Sequence, residues 1–357
     1  MFGRKGREMN KILYYDNKVN YFLSPHVGTI PALIPETVAA NQQTTAIYVD
    51  FLRMDSYTEV GSRAYPFKTL AAAYASAELT VSDSNPKILV LLSGNIVAEN
   101  ITFVKGHIFL VGENSSGTHA PIVFTGSLTF IGQSASISSN HFAVSGLQLL
   151  GVSGISVVAF SGSNPQRLFL KDVWITANGS SHGITMTNTG TGSTLHTNDC
   201  KFSHNGTGHY HCLNIESGTA NIDSSESSGA TVGIVGILNG SCNITESDIQ
   251  SAGDYAIDVY TNGTLSVANS KITTTKAESH GISLTAASSI AIVGNVSFSV
   301  KASATTGRAI NGVASSFPYG LYYGPVYFLP DGVGGTTNSK FSTAMAKTAI
   351  LNTFTNA

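Results

Sequence analysis

The stretch "TLSVANSKI" (264–272) decides how this chain folds. Leu265 and Val267 are separated by a single small residue, which is the period-2 alternation of a β-strand with one apolar side. The turn-forming residues Asn269 and Ser270 then interrupt the alternation, and Ile272 restarts it. The stretch therefore predicts two short strands joined by a turn, with no helix between them.

Three sets of segments repeat this pattern along the chain. The first set closes at Leu149, Ile175, Phe202, Ser227, Ile249, Ile272 and Phe298. The second set begins its apolar run at Ile184, Leu213, Ile234, Ile257, Ile282 and Ile310. The third set comprises 193–197, 219–223, 241–245, 264–268 and 289–293. Together they indicate a repeat of about 24 residues that contains three strands.

Such a repeat predicts an all-β fold, a single-stranded parallel β-helix with three strands per coil. The helices that a βαβ sheet needs are missing from the pattern, and the segments recur in the same order rather than as the mirror pairs of hairpins. Stacking successive coils at about 4.8 Å would place their inward residues in continuous rows. Less regular coils at 87–96, 101–112 and 121–132 extend the predicted β-helix to residues 85–315.

The segment 47–84 precedes these coils and predicts an entry strand and a capping helix. A strand begins at "YVD" (48–50), and Phe67, Leu70, Ala71 and Tyr74 recur at helical spacing. An amphipathic helix here would cover the open end of a β-helix. The pattern "YVD…G…PFKTLxxA" within 48–78 resembles the entry motif of the pectin-lyase-like superfamily, which implies a right-handed β-helix and says nothing about activity.

Both ends of the chain differ from the coils. Residues 1–46 are basic at the start, lack the coil repeat and contain a Pro-punctuated stretch, so they predict either a disordered tail or an attachment arm that orders on a partner. Residues 316–357 begin with clustered aromatics, among them Tyr319, Tyr322 and Tyr323. Aromatic residues at this density predict a cap or an oligomerisation segment with glycan or subunit contacts.

Composition excludes several classes of function. Only 11% of the residues are charged and the net charge is −2, so nucleic acid is not an expected partner. No apolar run reaches the roughly 18 residues that a membrane helix needs, and the first residues lack the apolar core of a signal peptide. The three cysteines follow no metal-binding spacing and are interpreted as reduced packing residues. No cofactor is expected.

Histidines recur at one position of the coil. "SHGI" occurs at 181–184 and at 279–282, and His211 occupies the equivalent place on an intervening coil. We expect the His182 and His211 rings to approach within about 5 Å because their coils are adjacent. His204, His209 and His211 lie together in "SHNGTGHYH" (203–211) and are candidate metal ligands, although stacked or turn-bonding histidines are the favoured interpretation.

Carboxylates offer candidates for acid–base chemistry. The polygalacturonase-type set of an Asp pair and an Arg-x-Lys is absent, and arginine is too scarce in the coils for pectate-lyase chemistry. If the protein were an enzyme, the candidates would be Glu226, Glu246, Asp248 and Asp258.

A solvated face with charge pairs is the favoured interpretation of these carboxylates. One outward row should contain Trp174, Lys201, Glu226, Asp248 and Lys271, which would set Lys201 beside Glu226 and Asp248 beside Lys271. The sole tryptophan, Trp174, is interpreted as a subunit contact or a sugar-stacking platform on this row.

A charge-poor β-helix with this N-terminal arm and no catalytic set resembles the spikes, fibres and decoration proteins of double-stranded DNA viruses, especially tailed bacteriophages. The resemblance implies a virion structural protein, a homotrimer whose residues 1–46 dock on a capsid or tail protein and whose surface contacts host polysaccharide. Two alternatives remain: a polysaccharide depolymerase of the tailspike type, and a cell-surface adhesin, which the missing export signal disfavours.

Overall fold

The fold is seen in a computed structural model of the chain. It describes residues 21–26, 29–35, 45–93, 99–113, 122–132, 140–152, 156–161, 165–187, 192–206, 210–229, 235–260, 262–276, 279–284, 289–293, 295–300, 308–312, 320–323 and 326–328.

Three parallel sheets form the faces of a β-helix, and we number them in the order in which a regular coil, such as 166–186, passes through them. Within the described ranges, sheet 1 has eleven strands, each parallel to its neighbours. These strands are Thr45–Asp50, Lys87–Ser93, Ile108–Gly112, Asn140–Ser145, Gln166–Lys171, Thr194–Asn198, Thr219–Asp223, Ser241–Thr245, Thr264–Ala268, Ser289–Val293 and Gly320–Tyr323.

Sheets 2 and 3 complete each coil. Sheet 2 contains Leu147–Leu150, Trp174–Ala177, Lys201–His204, Glu226–Gly229, Asp248–Ser251, Lys271–Thr274, Val296–Val300 and Val326–Phe328. Sheet 3 contains Glu99–Phe103, Val158–Phe160, Ile184–Met186, Leu213–Ile215, Val235–Ile237, Tyr255–Val259, His280–Leu284 and Arg308–Gly312. The long strand Ile122–Phe130 joins these two sheets, because its first half pairs with Leu147–Leu150 and its second half with Glu99–Phe103.

The predicted parallel β-helix is confirmed, and its registers agree with the sequence pattern almost throughout. On sheet 2 the closing residues of successive coils pair as expected, for example Ile249 with Ile272. On sheet 3 the prediction of Ile234 is wrong, because Val235 is the residue that pairs with Leu213 and Ile257. The apolar run "IVGI" offers two adjacent β-branched residues, so alternation alone does not distinguish them.

Alternation of side chains places one apolar row after another inside the coils. Leu195, Ala220, Cys242 and Leu265 lie at paired positions of sheet 1, and all are buried. Near the entrance the rows become aromatic, with the Phe103 and Phe130 rings stacked at a centroid distance of 5.0 Å. Burial of these rows removes a continuous apolar surface from water, which is the main stabilisation available to a coil without helices.

The corner between sheets 1 and 2 is a tight turn in which one residue has left-handed backbone geometry. This residue has a positive φ on successive coils, although it is not glycine: Asp172 (51°), Asp199 (53°), Ser224 (47°), Glu246 (49°), Asn269 (47°) and Asn295 (47°). Asn and Asp tolerate this conformation better than other non-glycine residues, which is why they are found at most of these corners.

Serine hydroxyls link the corners inside the helix. Ser225, Ser247 and Ser270 follow the left-handed residue on three consecutive coils and are buried. The Ser247 hydroxyl accepts from the Ser225 amide at 3.1 Å and donates to the Thr245 carbonyl at 2.7 Å. Ser270 repeats the arrangement, accepting from the Ser247 amide at 3.2 Å. Each hydroxyl thus satisfies a buried backbone amide of the preceding coil.

A short helix covers the N-terminal end of the coils. It spans Leu70–Glu78, with Thr69 as the N-cap accepting from the Ala72 amide. The Glu99 carboxylate accepts from the Leu70 and Ala71 amides, so the free amides of the first turn have acidic partners. The sequence pattern predicted Ala71 on the apolar side, but Ala71 is exposed and Ala73 is buried with Leu70 and Tyr74.

Coil strands also lie outside the predicted bounds of 85–315. Thr45–Asp50 is the first strand of sheet 1, and Gly320–Tyr323 and Val326–Phe328 continue sheets 1 and 2 in parallel register beyond the predicted end. Before the coils, Tyr21–His26 pairs antiparallel with Thr29–Pro35. We call this pair the N-terminal hairpin.

The left-handed corners generate a stability prediction. Replacing Glu246 by Asn should raise the free energy of unfolding by about 0.5–1 kcal/mol, because Asn reaches the left-handed region at lower cost. The new amide would also stand beside Asn269, which already accepts from the Asn295 amide side chain at 3.3 Å. Urea unfolding followed by circular dichroism measures the change.

The matched control is Gln250→Asn, an exposed position within an extended strand of the same coil. This substitution should have no stabilising effect. A Glu246→Asn protein that is no more stable than the parent chain would contradict the strain assigned to the corner.

Candidate functional site: the sheet 2 groove

One outward row of sheet 2 carries three of the sequence-predicted site residues, Trp174, Glu226 and Asp248. Backbone pairing places Trp174 beside Lys201, Lys201 beside Glu226, Glu226 beside Asp248, and Asp248 beside Lys271. The row is the predicted one, and it runs along the helix axis rather than along any single strand. Each side chain therefore comes from a different coil.

Charges in this row neutralise one another in pairs. Lys201 Nζ lies 3.1 Å from Glu226 Oε2, and Lys271 Nζ lies 3.5 Å from Asp248 Oδ2, as the stacking of coils predicted. The four side chains retain between 48% and 66% of their exposure, so each ion pair contributes little to stability. The Lys201 ammonium also lies 5.4 Å from the centre of the Trp174 ring.

A shallow groove of about 390 Å³ follows this row. We call it the sheet 2 groove; its walls include Gln148, Trp174, Lys201, Glu226, Asp248 and Gln250, with the hydroxyls of Thr176, Ser203 and Ser228 beside them. The Thr176 and Ser203 hydroxyls lie 2.9 Å apart on adjacent coils. The groove combines one aromatic face with amide, hydroxyl and paired charged groups.

The four candidate catalytic carboxylates do not converge on one site. Glu226 and Asp248 are neighbours in the groove, but both are exposed and each faces a lysine, so neither lies in the apolar pocket that a general acid needs. Glu246 is the left-handed residue of the corner between sheets 1 and 2, outside the groove. Asp258 lies on sheet 3 and is buried. The geometry thus favours binding over hydrolysis in this groove.

Asp258 belongs to a separate cluster over the outside of sheet 3. Burial raises the pKa of the nearby Tyr260 phenol, and the Asp258 carboxylate raises it further. The Tyr260 hydroxyl lies 3.5 Å from Nε2 of His211, and the His211 ring lies over Gly236, where a Cβ would approach Cδ2 of the ring at 2.6 Å. Gly236 is therefore required by the close approach of the ring.

Histidines stack along the edge of this cluster. The His182 and His211 rings are parallel within 10° and their centres are 5.6 Å apart, close to the predicted distance. His182 Nδ1 accepts from the His211 amide at 2.9 Å. Burial lowers the pKa of His182 to about 4, and the neighbouring His211 and His204 lower it as well. His182 is therefore neutral at pH 7 and acts as a hydrogen-bond acceptor in the turn.

The metal candidates have other partners where the structure describes them. Both ring nitrogens of His204 are engaged, Nε2 with the Ser181 carbonyl at 2.9 Å and Nδ1 with the Gly206 amide at 3.2 Å. His211 lies against His182 and Tyr260, and His209 falls outside the described residues. Across the described ranges, no group of three or more His, Cys, Asp or Glu side chains is arranged to hold a metal ion.

The remaining candidates are distributed over the C-terminal coils and the interior. Tyr319 lies outside the described residues, whereas Tyr322 and Tyr323 belong to the last strand of sheet 1, where Tyr322 pairs with Ile292. The three cysteines are free and buried, and burial raises the pKa of the Cys200 thiol to about 12. In the part of the chain that the structure describes, no helix is both long and apolar enough to cross a membrane.

Sequence reasoning missed the polar lining of the groove and the aromatic members of the sheet 3 cluster. Gln148 continues the charged row beyond Trp174, and Gln250 lies in the adjacent outward row beside Ser228. Tyr210 packs edge-on against His182 at 5.3 Å. The strand register could have indicated Gln148, because Gln148 pairs with Trp174 on the neighbouring coil. Tyr210 lies in a loop, where period-2 alternation predicts nothing.

Comparison with known proteins adds a distant structural likeness. The sequence matches no protein-family model and no curated protein. Among solved structures, the crystal structure of pectate lyase Pel9A is similar at a TM-score of 0.40 and 14% identity, over 85% of this chain and 80% of that chain. No residue role is transferred at this level of similarity.

The buried histidines predict loss of stability in acid. The pKa of His182 is about 4 in the folded chain against about 6.5 unfolded, so the unfolded chain takes up the proton first as the pH falls. The stabilisation that neutral His182 gives the folded chain is complete above pH 6.5 and is lost progressively toward pH 4. Replacing His182 by Asn, whose Oδ1 can accept from the His211 amide in place of Nδ1, should reduce this loss.

Urea unfolding at several pH values between 7 and 4.5 gives the free energy of unfolding as a function of pH for the parent chain and for His182→Asn. The carboxylates are the same in both proteins and cancel in the comparison. The profiles should diverge below pH 6.5. Parallel profiles over the whole range would contradict the assignment of the acid sensitivity to His182.

Proposed function

We propose that this chain is a virion structural protein, a trimeric capsid- or tail-associated spike or decoration protein that contacts host-surface glycans through the sheet 2 groove. The observation that supports glycan contact is the groove itself, in which Trp174, Lys201 and Glu226 are stacked on successive coils beside a row of hydroxyls. The sequence resemblance to viral spikes supports the virion role.

A repeating ligand suits a repeating surface. Successive coils lie about 4.8 Å apart, and a sugar residue in an extended polysaccharide advances the chain by a similar distance. A glycan lying along the helix axis would therefore meet equivalent outward positions on consecutive coils. Trp174 supplies a ring face for stacking, and the amides of Gln148 and Gln250 supply both donors and acceptors.

The alternative function is a polysaccharide depolymerase that uses the same groove. Its support is the pairing of Glu226 with Asp248, which makes two carboxylate residues neighbours on adjacent coils, as a glycosidase pair requires. Exposure and the lysine partners favour a binding role for these carboxylates. The two functions differ in whether new chain ends are produced.

Intrinsic fluorescence tests the groove directly, because Trp174 is the sole tryptophan. Purified lipopolysaccharide O-chains, capsular polysaccharides and polygalacturonate are titrated into the full chain, and at least one should shift or quench the emission. By calorimetry, Trp174→Ala should weaken binding of that polymer about tenfold, equivalent to ~1.4 kcal/mol. The control Lys171→Ala, on the outer face of sheet 1, should bind as the parent chain does.

Assays of the same mixtures for reducing ends and for unsaturated ends decide between the two functions. If the parent chain produces new polysaccharide ends and Glu226→Gln or Asp248→Asn does not, the protein is a depolymerase and the binding function is rejected. Binding that survives Trp174→Ala unchanged would reject the groove as the glycan site.

Attachment through the proposed arm, residues 1–46, is tested by deleting its basic first part, residues 1–20, upstream of the N-terminal hairpin. The shortened chain should sediment as a trimer, like the full chain, but should be lost from purified particles when its copies are counted by mass spectrometry. Normal incorporation would reject the attachment role, and a monomeric full chain would reject the trimer.

A further inference from the structure

The outer face of sheet 1 changes character along the helix axis. On the three strands from Thr219 to Ala268, the outward row through Asn221, Asn243 and Ser266 is polar and at least partly exposed. On the first strands the same face is apolar, and Ile88, Val90, Phe109, Val111 and Ala143 form a second apolar cluster, separate from the core. We call this cluster the outer apolar patch.

These outward positions are buried as deeply as the interior. The exposure of Ile88 is 4%, and that of Phe109 is 1%. Strand alternation places both on the side opposite to Leu89 and Leu110, which belong to the main core. A sheet that is buried on both faces must have a further layer of chain on its outside.

The edge of this layer can be located within one row. Register aligns Phe109, Ala143, Phe169, His196 and Asn221 on successive strands. Phe169 is partly buried and stacks on the His196 ring at 4.9 Å, and the next three members of the row, Asn221, Asn243 and Ser266, are polar. Whatever covers sheet 1 therefore ends near the strand Gln166–Lys171 and spans the strands before it, a width of roughly 15–20 Å.

The N-terminal hairpin has the position, size and composition of this cover. Its second strand, Thr29–Pro35, lies beside Ile108–Gly112, the strand that carries Phe109 and Val111. Strands of six or seven residues reach about 20 Å, which matches the width of the patch. The sequences "YFLSPH" and "TIPALIP" contain no Asp, Glu, Lys or Arg.

We propose that the N-terminal hairpin is a dedicated cover for the outer apolar patch and part of the folded body. On the proposed function, this role removes the hairpin strands from the attachment arm of residues 1–46, because they cannot both lie on sheet 1 and extend to another protein. Removal of the hairpin would expose a contiguous apolar surface and promote self-association.

The test inserts a site for a specific protease between Val38 and Ala39 of the full chain. After cleavage under native conditions, the N-terminal piece should co-elute with the body in gel filtration. Phe109 and Val111 should resist hydroxyl-radical labelling before and after the cut. A piece that separates while Phe109 stays unlabelled would overturn the proposal, because another segment would then be the cover.

A matched pair of substitutions examines the contact itself. Phe109→Asp and Ser266→Asp each place a carboxylate at equivalent outward positions of the same row, one inside the patch and one beyond it. With Phe109→Asp the cut piece should be released and dye binding to apolar surface should rise; Ser266→Asp should retain the piece. Equal retention by both variants would contradict the proposal.

Subunit exchange distinguishes a cover within one chain from a cover supplied by a second copy. Isotopically heavy and light copies of the cleavable chain are mixed, unfolded and refolded together, then cut and crosslinked. The crosslinks between hairpin and body are identified by mass spectrometry. Crosslinks within copies of one label support the proposal. If crosslinks between a heavy hairpin and a light body, or the reverse, are as frequent as those within one label, the hairpin is supplied by a second copy and the intramolecular cover is rejected.

Discussion

Everything in this structure depends on the parallel backbone pairing that holds each coil directly over the preceding one. Pairing fixes which residues become neighbours: a side chain contacts the residue one coil away more closely than residues two or three places away along its own strand. The functional unit is therefore a row along the axis. The core, the serine links at the corners and the sheet 2 groove are all rows.

The corner between sheets 1 and 2 keeps the rows in register. The turn with one left-handed residue has a constant length on five consecutive coils, from the Lys171–Trp174 corner to the Ala268–Lys271 corner, so sheet 2 begins at the same distance from the end of sheet 1 on each of them. The next corner, between Ile292 and Ser297, contains one residue more than the equivalent corner between Val267 and Lys271. The other two connections vary, and they account for the irregular spacing of the repeat. Side chains on sheet 2 are consequently aligned better than those in the loops, and that alignment favours sheet 2 as a surface for an extended polymer.

Regular alternation explains which parts of the fold the sequence could predict. The rows through Ile175, Ile249 and Ile272 follow from apolar spacing, and the charge pairs of Lys201 with Glu226 and Asp248 with Lys271 follow from counting outward from those rows. Prediction failed where two apolar residues are adjacent, as at Ile234 and Val235, and in the helix, where Ala71 and Ala73 are chemically identical. The clustering of Tyr210 and Tyr260 with the histidines depends on loop paths, which contain no periodic signal.

The outer face of sheet 1 shows how the same alternation can mislead. Continuous apolar runs such as "KILVLLS" fill both faces of a strand, and the sequence pattern alone interprets them as irregular coils. In the structure they mark the coils that are covered on the outside. An apolar outward row therefore indicates an additional layer of chain, and a change to Asn and Ser along that row indicates where the layer ends. By this criterion sheet 2 is free of such a layer along its polar row from Lys201 to Lys271, which leaves that face open for a ligand.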